Sequence, residues 1–189
     1  ATALYRSWVR TTVERAVTAR LAPVELWTTP AVGHPYFAEL MTDYDLRVRP
    51  QGDGDLGRRM ERALRLALEE ASFAILIGSD CPLMDGDYLE AACARLQDGM
   101  EMVIGPAEDG GYVLLGARRC ETALFRDMPW GSERVLAHTR KRLLALGCRW
   151  AELDALWDID TAEDLRRWEA LAGQAAVREM SMQAADNRK

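Results

Sequence analysis

"FAILIGSDCP", Phe73–Pro82, is the stretch on which the fold turns. Phe73-Ala-Ile-Leu-Ile77 runs without a polar break into Gly78-Ser-Asp-Cys-Pro82. A short continuous apolar run of this kind predicts a strand buried on both faces of a parallel sheet. The residues after it are turn formers. In open α/β sheets, ligands bind outside the carboxyl ends of the strands. Asp80 therefore carries two readings: a metal ligand at a strand end, or a turn residue before Pro82.

The segments on either side place that strand in an alternating pattern. Upstream, "ATALYRSWVRTTVERAV" has Leu4, Tyr5, Trp8, Val9, Val13 and Val17 at helical spacing. It has an Arg but no apolar core of the signal-peptide kind, so the chain is expected to begin inside a helix. "VELWTTP" (Val24–Pro30) predicts a strand, Pro35–Met41 a helix and Leu46–Gln51 a second strand. Gly52–Gly57 reads as a glycine- and aspartate-rich loop, followed by an amphipathic helix over Arg58–Ala71. Downstream of Pro82, Asp87–Leu96 predicts a helix. "EMVIGPA" and "GGYVLLGA" predict two strands around the turn "EDG". Glu133–Leu146 predicts a helix and "CRWAEL" a strand. A last helix starts at Asp160 or Thr161, either of which can cap it. Strands alternating with helices imply an α/β fold with a mostly parallel sheet, mixed where two strands follow each other directly.

Bulk composition narrows the function. The 189 residues, 49% hydrophobic and 29% charged, suit one globular domain with a real core. A net charge of −6 argues against nucleic acid as the main partner. It leaves room for a nucleotide whose phosphates a divalent cation neutralises. Cys81, Cys93, Cys120 and Cys148 form no CxxC pair, which argues against zinc and against a disulfide framework. Reduced thiols point to the cytoplasm. No apolar stretch is long enough to span a membrane. His34 and His138 have no visible partner residues, and neither a GxSxG nor a Walker sequence occurs.

Four acidic loops carry the candidate chemistry: "QGDGDLG", "GSDCP", "AEDGGY" and "WDIDTAED". In "GSDCP", Gly78 and Ser79 leave the backbone open to a phosphate beside Asp80. In "EDGGY", Asp109 is a candidate base or acceptor, and Gly110 and Gly111 allow close approach of a sugar. The same residues also spell a tight hairpin turn. Gln51 offers an amide to a base edge, in a loop that is otherwise a glycine-rich connector. Asp158 and Asp160, two apart, could face one metal, while Asp160 could equally cap the last helix. Trp130 is either a pocket wall or half-buried packing.

Taken in order, "QGDGDLGRRM", "LIGSDCPLM", "VIGPAEDGGYVLLGA", "PWGSERVLAHT" and "WDIDTAEDL" resemble one bacterial family. It comprises GT-A-fold transferases found beside radical-SAM genes and described as arsenosugar-biosynthesis glycosyltransferases. It is similar to molybdenum-cofactor and 2-phospholactate guanylyltransferases. The resemblance covers about Leu4 to Trp168. It implies the nucleotide-diphospho-sugar transferase fold, a three-layer α/β/α sandwich with a mixed, mostly parallel sheet. It implies that Gln51, Gly52, Asp55 and Gly57 face the nucleobase, with Gly78 and Ser79 also on the nucleotide. Asp80, Asp158 and Asp160 would hold magnesium or manganese. Asp109 and Asp80 would be catalytic, and Gly110, Gly111, Tyr112 and Trp130 would meet the acceptor. The activity implied is transfer of a sugar from a nucleotide sugar to a small-molecule acceptor. A nucleoside triphosphate donor with release of pyrophosphate is the same-fold alternative, and a degenerate nucleotide-binding module without activity is another.

The family usually opens with a strand and a K-x-P-x-P-G-x-x-K-T-R-L loop, which this sequence lacks. The expectation is therefore a trimmed chain: a single GT-A-like domain over 1–173 without its first strand, with an unpaired strand edge and a polar tail over 174–189.

Overall fold

The computed structural model describes residues 2–29, 33–159 and 161–171. The chain falls into two compact units, Ala1–Trp157 and Asp158–Lys189.

In the first unit, helix α1 (Thr2–Ala19) leads into strand β1 (Val24–Thr28), helix α2 (Pro35–Asp43) and strand β2 (Leu46–Pro50). Helix α3 (Leu56–Glu70), strand β3 (Ala74–Ile77) and helix α4 (Gly86–Gln97) follow. Strands β4 (Met102–Pro106) and β5 (Tyr112–Ala117) come next, then the 3₁₀ turn η1 (Thr122–Leu124), helix α5 (Val135–Ala145) and strand β6 (Trp150–Glu152). Helix α3 starts earlier than its apolar periodicity predicts. Asp55 caps it, its Oδ1 accepting from Arg58 N at 2.9 Å, so Leu56 and Gly57 belong to the first turn rather than to the loop.

The strands form two sheets. β1 and β2 pair in parallel. The other sheet has the order β3-β5-β4-β6. β5 runs antiparallel to both β3 and β4, and β6 runs parallel to β4, so β5 is the one reversed strand of the four.

Side-chain alternation along β4 builds two cores. Met102 and Ile104 join Leu64 of α3 and Leu143 of α5. Val103 points the other way, into a cluster with Ala92 and Leu96 of α4. Helices thus cover both faces of the sheet, the α/β sandwich expected. A third cluster, with Val9 and Val13 of α1 against Tyr36 and Leu40 of α2, covers β1 and β2.

The burial expected of Phe73–Ile77 is not found. All four β3 residues are half-buried, whereas every residue of β4 is buried. Apolar content alone does not bury a strand: among the described strands β3 has one neighbour, β5, while β4 lies between two. Among the described strands β1 likewise has one partner, β2.

In the second unit, residues 162–171 are helical. Thr161 is the cap. Its Oγ1 accepts from Asp164 N at 3.2 Å, and Asp164 Oδ2 accepts from Thr161 N at 2.9 Å. This is the reciprocal arrangement of a capping box.

Candidate functional site

The pairing of β3 with β5 brings two of the acidic loops to one sheet edge. Ile77 stands opposite Leu114, and the ladder continues as Gly78 N donates to Val113 O at 2.9 Å. The turn that ends β3 therefore lies beside the turn that begins β5. "GSDCP" and "EDGGY", about 30 residues apart in sequence, become neighbours through one antiparallel register.

Asp80 is half-buried at the end of β3. A Cβ built on Gly78 would meet its Oδ1 at 2.6 Å, so the carboxylate folds back over the glycine. Helix α1 holds this turn from outside. Arg15 Nη1 donates to the carbonyls of Pro82 at 2.5 Å and Met84 at 3.0 Å. The Tyr5 hydroxyl lies 3.3 Å from Ser79 Oγ. The sequence marks Tyr5 only as part of an apolar helix face and does not mark Arg15, because both sit on a helix remote from any motif. Cys81 is buried, and its thiol donates to Trp157 O at 3.5 Å, which leaves it no path to solvent as a nucleophile.

The second turn is the tight hairpin that Asp-Gly suggested. Ala107 N donates to Gly111 O at 3.1 Å, and Asp109 Oδ1 accepts from Gly111 N at 2.8 Å. Asp109 remains exposed, and among the described residues its second oxygen has no hydrogen-bond partner. Gly110 has φ +89°, and a Cβ there would run into the backbone of Glu133. Its close approach is thus made by the chain itself. Leu136 N, in the first turn of α5, donates to Gly110 O at 2.8 Å and locks helix to turn.

Three more sequence candidates meet in packing. The Trp130 ring sits edge-on to Tyr112, with centroids 6.3 Å apart. On its other side a Cβ at Gly57 would stand 2.5 Å from Trp130 Nε1 and 2.6 Å from the Phe125 carbonyl. Gly57 is buried, and among the described residues the buried Trp130 indole nitrogen has no acceptor. Burial pushes the Tyr112 phenol far above its ordinary value, against a smaller opposite pull from the Thr139 hydroxyl, and Tyr112 stays neutral.

At the end of β2, Gln51 Nε2 donates to Trp27 O at 3.2 Å, and its Oε1 accepts from Arg59 Nη1 at 3.4 Å. The amide is engaged in holding β1, β2 and α3 together. Gly52 has φ +71° and lies under the Arg62 guanidinium. Asp158 opens the second unit, and Asp160 lies outside the described residues. Among the described residues, no group of three His, Cys, Asp or Glu side chains is placed to hold a metal. No helix among them is long and apolar enough to cross a membrane.

Residues 12–132 match the family described as "Uncharacterized protein conserved in bacteria (DUF2064)". The chain belongs to that family. No curated protein matches it. Among solved structures, a candidate nucleotide-diphospho-sugar transferase from Desulfovibrio desulfuricans G20 is 26% identical to this DUF2064 chain, with TM-score 0.73. That match covers 84% of this chain and 69% of the other. CMP:2-keto-3-deoxy-manno-octonic acid synthetase, solved with CTP, is 16% identical with TM-score 0.62, over 89% of this chain and 88% of the other. The 4-diphosphocytidyl-2C-methyl-D-erythritol synthase of Anaerococcus prevotii DSM 20548 is 11% identical with TM-score 0.64, over 88% and 86%. This DUF2064 chain thus has the α/β fold of nucleotide-diphospho-sugar transferases and cytidylyltransferases.

Proposed function

We propose that this chain is a nucleotide-dependent transferase that moves a sugar from a nucleotide sugar to a small hydroxyl-bearing acceptor. One observation carries the reading: the β3–β5 register sets the Asp80 turn beside the Asp109 turn at one sheet edge. Two carboxylates with different surroundings stand there, one half-buried and one exposed. The 26%-identical transferase fold supports the donor class.

The donor set at this edge suits a hard divalent cation, magnesium or manganese. Such ions take one or two protein carboxylates and fill the remaining positions with substrate phosphates and water. Asp80, a half-buried carboxylate at a strand end, fits that role. When bound, the cation supplies charge neutralisation for the departing nucleoside diphosphate. Gly78 and Ser79 would present backbone to the phosphates. Asp109 would accept the proton of the acceptor hydroxyl through its free oxygen, since an exposed carboxylate within reach of the hydroxyl can act as a general base. No side chain here requires a covalent intermediate. Free thiols at all four cysteines fit a cytoplasmic setting.

Nucleotidyl transfer uses the same fold and is distinguished by its product. The chain is incubated with manganese and a panel of nucleotide sugars and nucleoside triphosphates plus acceptor mixtures. Release of nucleoside diphosphate, lost in Asp80→Ala, is the expected result. Pyrophosphate release would replace sugar transfer by nucleotidyl transfer. No thermal stabilisation by any nucleotide, with or without metal, would overturn both.

A further inference from the structure

One stripe of α3 carries Arg58, Arg62 and Arg65, at the spacing that lines up side chains along a helix. Facing it are η1 and the residues that follow, Phe125–Asp127. Between them lies an open cleft of about 490 Å³, within the size range of small-molecule sites. Arg126 lines its other wall, so four guanidiniums share one cleft in a chain of net charge −6.

Most of the carboxylates in the cleft are already engaged. Asp55 caps α3 through Arg58 N. Glu61 Oε1 accepts from Thr122 Oγ1 at 2.6 Å. Asp127 is the third. On the basic side, Arg65 pairs with Glu69 at 2.8 Å. Arg62 donates to the carbonyls of Gln51 at 2.5 Å and Asp53 at 3.3 Å, which fixes its guanidinium without giving it a counter-charge. Among the described residues, the side chains of Arg58 and Arg126 have no hydrogen-bond or ion-pair partner. Like charges four apart on a helix repel, so keeping Arg58 beside Arg62 works against helix stability.

Both walls are set before a ligand arrives. The Thr122–Glu61 bond ties η1 to α3. Arg142 reaches under the opposite wall, donating to the carbonyls of Ala123 at 2.8 Å, Leu124 at 3.3 Å and Asp127 at 3.0 Å. Arg62 is the guanidinium held without reorganisation, as anion recognition needs, while Arg58 and Arg126 extend from walls already in place.

We propose that this cleft binds the phosphate group of a phosphorylated small molecule, with Arg58 and Arg126 as two free forks and Arg62 as a fixed third. Guanidinium groups match phosphate oxygens in pairs, and three around one group give it a definite orientation. The acidic balance of the whole chain opposes a long polyanion. The cleft shares no residue with the Asp80 and Asp109 turns; Asp55, which the resemblance sets against the nucleobase, is the one residue that it shares with the sequence candidates.

Calorimetric titration of the 189-residue chain with ribose 5-phosphate and with inorganic phosphate tests it, with ribose as the uncharged control. Both phosphates are expected to bind and ribose is not. Arg58→Ala combined with Arg126→Ala is expected to weaken binding by about ten- to a hundredfold, the scale of lost charged hydrogen bonds. Should that pair fail to fold, Arg58→Lys with Arg126→Lys keeps the charge but not the forks, and a weaker loss is expected. Lys141→Ala, on α5 outside the cleft, is expected to bind as the parent does. No phosphate binding by the parent, equal binding of ribose, or unchanged affinity in either folded double variant would overturn the proposal.

Discussion

The Asp80 carboxylate lies back across Gly78, with Oδ1 where it would stand 2.6 Å from a Cβ at that position. The obstacle is the end of a side chain, not backbone, and Gly78 is not in the left-handed region. An alanine there can therefore be accommodated by turning Asp80 away. Gly78→Ala is expected to cost about 1–2 kcal/mol of stability, since the Asp80 carboxylate must leave its present rotamer and its contacts there. It is expected to reduce manganese-dependent nucleotide binding about tenfold or more, because a ligand carboxylate is moved while its charge is kept. Thermal melts and calorimetry on the same samples separate the two effects. A variant that binds like the parent would remove Asp80 from the site.

Gly110→Ala presents the opposite case. Its φ of +89° strains any side chain, and the Cβ would meet the Glu133 backbone, which cannot rotate aside. A loss of about 2–4 kcal/mol is expected, from strain plus a displaced α5 N-terminus. Gly131→Ala is the control: φ is +75°, but nothing lies within 4 Å of the new Cβ. It should cost only the left-handed penalty of about 1–2 kcal/mol. Urea unfolding of both variants checks the difference, and equal losses would show that the Glu133 contact yields.

These glycines show what could be read from sequence. "EDGG" before a β run announces a tight turn, and the turn is there. That Gly110 must also admit Glu133, 23 positions along the chain, is a tertiary fact with no local trace. Asp55 was legible as chemistry in a loop but serves α3 as its cap, since a cap and a ligand share one residue type. Burial of "FAILI" was misread because pattern reports apolar content, whereas burial depends on how many strands flank β3. Gln51 pointed to a base edge, yet Trp27 and Arg59 take its amide. Apart from η1, the order of helices and strands is legible in the sequence, because helical and strand periodicities differ plainly in this chain.

Arg142, half-buried on α5, is expected to matter for the segment that follows η1. Its guanidinium collects carbonyls from Ala123 to Asp127, and Asp127 sits at φ +50°. Arg142→Ala leaves those carbonyls to water and releases the segment that carries Phe125. The expected loss is about 1.5–3 kcal/mol, the range for hydrogen bonds to a charged donor. Faster amide exchange confined to 122–128 is the accompanying sign. Arg142→Lys should recover little, because one ammonium cannot span the same set of acceptors. Full recovery by lysine would mean that charge, not the planar fork, holds the loop.

Tyr88 gives the fold an alkaline limit. Its hydroxyl donates to Asp154 O at 2.8 Å beneath a half-buried ring. Burial, with smaller contributions from Cys81 and Asp154, pushes the phenol up from 10.0 to about 12. In the unfolded chain the phenol ionises first, so the folded state binds the extra proton through this window. Tyr88's contribution is therefore complete below about pH 10 and is lost as pH rises through about 12. An ionised oxygen could not donate to Asp154 and would face its carbonyl instead. Urea midpoints of the parent and Tyr88→Phe, followed from neutral pH upward, isolate the effect. Cys120, raised from 9.0 to about 11 mainly by burial, titrates in an overlapping range and is present in both proteins. The parent is expected to lose stability more steeply than Tyr88→Phe between pH 10 and 12. Parallel curves would show that Tyr88 ionises in the folded protein as it does in water.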